Sequence, residues 1–144
     1  MFEERMKLRD EIIFKENEVL EPGGGIHRFQ NLDISQLFEL VNEHLADLTV
    51  AQNEGPDIKT FFNYGRTDNI GFKRTIFYEG YVYTSVYDRA DLSPTIDGIR
   101  EVIDANNING LIKFVDNFRT ADEFSIKMFE CNGKNKLFMR AWWD

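Results

Sequence analysis

The sequence predicts an α+β fold in two layers: a mostly antiparallel sheet with two to three helices packed on one face. Three observations carry this. Apolar residues recur at helical spacing in two well-separated stretches, around 34–48 and 108–118. An Asn132-Gly133 pair sits between two runs rich in β-formers, the strongest short-range hairpin signal. Strand-like and helix-like segments also mix without the regular alternation that a parallel sheet requires. With 144 residues, 42% of them hydrophobic and 29% charged, the chain is expected to form a single globular domain over 1–144.

Taken in order, residues 2–20 admit two assignments. Phe2, Met6, Arg9 and Ile13 suit a short helix, whereas Ile12-Ile13-Phe14 and Val19-Leu20 suit strands. Glu21-Pro22-Gly23-Gly24-Gly25 is expected to stop regular structure, and Ile26 to Phe29 to be extended. A helix is predicted from Ile34 to Leu48, capped by Asp33 or Ser35, with Leu37, Leu40, Val41, Leu45 and Leu48 as its apolar stripe. Gln52 to Asp57 has loop chemistry.

Ile58 to Tyr64 then reads as a strand and Gly65 to Gly71 as a turn region. Phe72 to Tyr87 reads as a hairpin turning at Glu79-Gly80, with Tyr78 facing Tyr81 and Ile76 facing Tyr83 on an aromatic side. Ser93-Pro94 resembles a helix start, with Ile96, Ile99, Val102 and Ile103 as its stripe. Ile108, Leu111, Ile112, Val115 and Phe118 form a further helical pattern. The closing hairpin pairs Glu123 to Cys131 with Lys136 to Trp143 and sends Phe124, Ile126, Met128, Leu137, Met139 and Trp143 to one side. Phe138, Arg140 and Trp142 then share the other side, which is either a second core face or an interface.

Charge narrows the function. Seventeen basic residues against 25 acidic give a net charge of -8, the wrong balance for general nucleic-acid or anionic-membrane binding. No segment has the roughly 18 apolar residues of a membrane helix, and the charged first residues do not resemble a secretory signal. One cysteine, Cys131, forms no internal disulfide, which suits a reducing, cytoplasmic setting. Between Phe29 and Ile58 there is no Lys or Arg, and Glu39, Glu43 and Asp47 fall at i, i+4 and i+8 of the predicted helix.

Catalytic and metal signals are weak. Gly23-Gly24-Gly25 lacks the Gly-Lys-Ser/Thr ending of a phosphate loop, although His27 and Arg28 follow it. His44 is expected beside the apolar stripe of the Ile34–Leu48 helix, and Cys131 as a small apolar residue at a strand end. Two histidines and one cysteine are too few for a structural zinc site, and Asp104 to Gly110 misses the spacing of a calcium loop. No cofactor, metal or catalytic set is therefore expected.

The favoured expectation is a small acidic, non-enzymatic protein-binding module of inhibitor, immunity-protein or antitoxin type. It would dock a basic partner through Glu39, Glu43 and Asp47, with Tyr81, Tyr83, Phe138, Arg140 and Trp142 as aromatic and arginine contacts. The alternatives are an assembly subunit that self-associates through its aromatic C-terminal hairpin, and a small enzyme or ligand-binding domain using Gly23 to Arg28.

Overall fold

The computed structural model describes residues 2–14, 19–23, 26–51, 54–66, 76–83 and 93–144. The order of elements is α1 (Phe2–Phe14), β1 (Val19–Gly23), β2 (Ile26–Leu32), α2 (Ile34–Asn42), α3 (Ile58–Arg66), β3 (Ile76–Tyr83), β4 (Pro94–Asp104), α4 (Ile108–Phe118), β5 (Glu123–Cys131) and β6 (Lys134–Trp142). The six strands form one sheet in the order β1-β2-β3-β4-β6-β5, antiparallel at every pairing. The α+β class stands, with four helices among the described residues rather than two or three. Ile12-Ile13-Phe14 follows the helical reading within α1, and Val19-Leu20 follows the strand reading within β1.

Alternation along the sheet decides where the core sits. On β6, Leu137, Met139 and Ala141 are buried, as is Trp143 just beyond it; across the ladder Ile99 pairs with Ala141, Glu101 with Met139 and Ile103 with Leu137. α3 and α4 cover this face. Phe61 and Phe118 stack at 5.7 Å, and both meet Trp143 edge-on at 6.1 and 5.9 Å. Such offset and edge contacts add to what area burial alone contributes.

α2 is shorter than predicted because it closes in a Schellman motif. Leu45 N–H donates to Leu40 O at 2.8 Å and His44 N–H to Val41 O at 3.1 Å, with His44 left-handed at φ 56°. Histidine, less common here than glycine, hides the stop signal. At its other end Asp33 and Gln36 form a reciprocal capping box. His44 is thus an exposed residue beyond the helix, not one beside its stripe.

Three further expectations are corrected. Ile58–Arg66 is a helix, because Asp57 accepts from Thr60 N–H at 2.8 Å as its cap and Ile58, Phe61, Tyr64 and Gly65 bury one face. Pro94–Asp104 is the strand between β3 and β6, and five of its eleven residues are β-branched. The Ser93 hydroxyl, read as a helix cap, instead accepts from Asp47 N–H and donates to Pro94 O. Finally, no turn occurs at Glu79-Gly80: β3 runs through it, and Gly80 lies at register shifts with both neighbours, a glycine at a bulge. The Phe72 and Tyr87 ends of that predicted hairpin, most of the Gly65 to Gly71 turn, and Gly24-Gly25 lie outside the described residues. Gly23, with Pro22, belongs to β1. No helix among the described residues is long and apolar enough to cross a membrane.

Candidate functional site

The C-terminal unit places an apolar surface where the helix layer ends. β5 pairs with β6 in unbroken register from Glu123–Trp142 to Cys131–Lys134, joined by the left-handed Asn132 and Gly133. The predicted sidedness of Phe124, Ile126 and Met128 holds in register, since they oppose Ala141, Met139 and Leu137. Their burial does not follow. Phe124 is half-buried beneath Phe114 at 5.8 Å, whereas Ile126 is exposed and Met128 is 65% exposed.

α4 supplies the rest of this surface. Its buried line is Gly110, Phe114 and Phe118. At about 100° per residue, Lys113 falls on one flank of that line and Val115 and Ile108 on the other, with Ile112 further round toward the outer face. Lys113 reaches α3: its Nζ donates to Tyr64 O at 2.7 Å and lies 4.3 Å from the Tyr64 ring centre. The isoleucine flank therefore points away from α3, toward the β5 side. Ile108 is 56% and Ile112 51% exposed. Ile108 and Ile112 on α4, with Ile126 and Met128 on the edge strand that meets α4 at Phe114–Phe124, are the exposed apolar residues of this ridge.

The two sheet edges differ. β1 carries Pro22 and a register shift between Val19 and Pro22, both devices that discourage edge pairing. β5 has nine residues, no proline, no glycine and no bulge. Its charges are Glu123, Lys127 and Glu130.

The residues singled out from sequence fall in separate places. Glu39 and Glu43 are exposed at α2, but Asp47 lies past the Schellman stop, so the three do not share a helix face. The Asp47 carboxylate accepts from Thr49 N–H at 2.9 Å and Thr49 Oγ1 at 2.7 Å, closing a local turn. Tyr81 and Tyr83 are in β3, opposite Arg28 and Ile26 of β2. Phe138, Arg140 and Trp142 share the sheet face away from α3 and α4, each half-buried. The Arg140 guanidinium lies 5.8 Å from the Trp142 ring centre and 3.5 Å from Glu123, and Trp142 Nε1–H donates to Asp97 Oδ2 at 3.3 Å. Asp97 is the extra residue where β4 bulges against Glu79-Gly80, which lets its side chain meet Trp142.

Other polar groups are engaged structurally. Glu101, 1% exposed, accepts from the Tyr64 hydroxyl between sheet and helices. Asp104 pairs with Lys136 beside a shallow cleft of about 510 Å³ lined by Asp104, Ala105, Asn106, Lys134 and Asn135. The hydrogen bond and charge of Lys136, with Lys134 behind it, hold the Asp104 carboxyl below its usual value. His27 lies in β2 opposite Val82, and Cys131, expected as a small apolar strand-end residue, is at a strand end but exposed. No group of three or more His, Cys, Asp or Glu among the described residues is placed to hold a metal ion.

Sequence reasoning missed the Tyr64–Glu101 pair and the open isoleucine flank. The latter had a signal: once Phe114 is added to Ile108, Leu111, Ile112, Val115 and Phe118, the apolar arc widens to about 160°. No protein family, no curated protein and no solved structure matches this chain.

Proposed function

We propose that this chain is a non-enzymatic protein-interaction module that docks through the ridge of α4 and the free edge of β5. The observation that carries the proposal is the exposure of Ile108, Ile112, Ile126 and Met128 beside an edge strand with no proline or bulge. Burial of such a ridge is worth about 25 cal/mol per Å² removed from water, and the open ladder of β5 offers main-chain hydrogen bonds to an added strand. Lys127, at the middle of β5, provides the test. Chemical cross-linking of the chain in extract from its own host is expected to join Lys127 to another polypeptide and to lose that product in Ile112→Glu. Cross-linked products unchanged by Ile112→Glu would refute the proposal.

A second docking surface, for a basic partner of a cytoplasmic inhibitor, immunity or antitoxin protein, is favoured by Glu39 and Glu43, both exposed four residues apart on α2. Exposed charges of this kind act chiefly on association rate and its salt dependence. Glu39→Lys combined with Glu43→Lys is expected to slow association with such a partner at low salt, and an unchanged rate would remove this surface.

A further inference from the structure

We infer that the occupant of the α4–β5 ridge is a second copy of this chain, joined β5 to β5 in an antiparallel two-fold pair centred on Ile126. The inference rests on the ridge being a docking surface and adds the partner and the register.

Charge favours self-pairing at this place. The whole chain carries -8, but residues 105–144 hold six Lys or Arg against five Asp or Glu. Two copies that met through their acidic N-terminal halves would repel; meeting at β5 brings together the least charged part of each.

Three axes, at Ile126, Lys127 and Met128, pair seven or more of the nine residues of β5. In an antiparallel pair, directly opposed residues lie on the same sheet face, so a two-fold axis must pass through a residue position. An axis at Lys127 sets Lys127 against its own copy, and an axis at Met128 sets Ile126 against Glu130. The axis at Ile126 sets Ile126 against Ile126, Phe124 against Met128 and Ser125 against Lys127. Glu123 then opposes Phe129, and Lys127 lies diagonal to Glu123 and to Lys127 of the other copy, the first spacing within reach of an ion pair.

The helix layer agrees. A two-fold axis normal to the sheet keeps both helix layers on one side and turns the two α4 flanks toward each other. Ile108, Ile112 and Val115, at i, i+4 and i+7, would meet their counterparts above the joined strands. Apolar pairing thus continues from the strand into the helix, and the two six-stranded sheets become one.

Sedimentation equilibrium and disulfide trapping test this. The chain is expected to be a dimer at about 100 μM, with Met128→Lys and Ile112→Glu each weakening association at least tenfold. Both residues are exposed, and far-UV circular dichroism checks that each variant keeps the fold. In a Cys131→Ser background, Ile126→Cys is expected to give an oxidised dimer, since directly opposed Cα atoms lie about 4.5–5.5 Å apart, within disulfide range. Met128→Cys, set opposite Phe124, is expected not to. A chain monomeric at that concentration overturns self-pairing; the docking surface itself is judged separately by the Ile112→Glu cross-linking comparison. A dimer trapped through Met128→Cys or Lys127→Cys but not Ile126→Cys overturns the register, and one indifferent to Met128→Lys and Ile112→Glu overturns both self-pairing and the ridge.

Discussion

Tyr64→Phe isolates a buried polar contact between sheet and helices. The substitution keeps the ring that packs 4.8 Å from Phe118 and 6.4 Å from Phe114 and removes only the hydroxyl that donates to Glu101. Glu101 is 1% exposed, so water does not readily replace that donor. Removing a donor from a buried acceptor costs about 1–3 kcal/mol, toward the upper end where the acceptor is ionised. For a domain near this size that corresponds to a fall in Tm of about 2–4 °C per kcal/mol. Tyr64→Phe and Glu101→Met remove the same contact, so the double variant is expected to cost less than the sum of the two singles. Urea denaturation of the parent, both single variants and the double variant measures the coupling. A Tyr64→Phe variant within about 0.5 kcal/mol of the parent, or a double variant worse than the sum of the singles, would refute the reasoning.

Gly133→Ala is expected to cost about 1–2 kcal/mol through the backbone alone, because Gly133 sits at φ 76° with nothing within 4 Å of an added Cβ; thermal melting checks it, and an unchanged Tm would mean the turn relaxes freely. Asp33→Ala, which breaks the capping box with Gln36, is expected to cost about 0.5–2 kcal/mol in urea titration. The folded-state pKa of Asp104 is lowered by Lys136, so the pair contributes stability above the unfolded carboxyl value and loses it as pH falls through the folded value. Asp104→Asn should lower stability slightly at neutral pH, by little because the group is exposed, and leave it unchanged once the parent carboxyl is protonated, so that the acid limb below about pH 4 flattens by the same small amount.

What could be read from sequence was set by whether polar groups obeyed the local period. α4 and the C-terminal hairpin were legible because Asn107 caps the one and Asn132-Gly133 turns the other, each next to an uninterrupted pattern. β4 was not. Its inward line is Ile99, Glu101, Ile103, and a buried glutamate in the middle breaks the alternation that marks a strand, leaving the chance helical spacing of Ile96, Ile99 and Ile103. α3 was missed because Thr60, Phe61, Phe62 and Tyr64 are β-formers, while the three-residue spacing of buried Ile58, Phe61 and Tyr64, behind the Asp57 cap, outweighs propensity. The candidate surface was half legible. The hairpin side that carries Ile126 and Met128 follows from alternation, but their exposure depends on where α4 ends laterally, and that is a tertiary fact.

Amide hydrogen exchange along β5 tests the central claim most directly. Alternate residues of β5 point their N–H groups away from β6, and in an isolated chain these exchange as open edge groups. With the ridge engaged by a second copy, they should become protected as concentration rises, in step with Ile108, Ile112 and Val115 side-chain shifts on α4 and with no change in β1. Outward β5 amides that exchange freely at every concentration, while those bonded to β6 stay protected, would contradict the account.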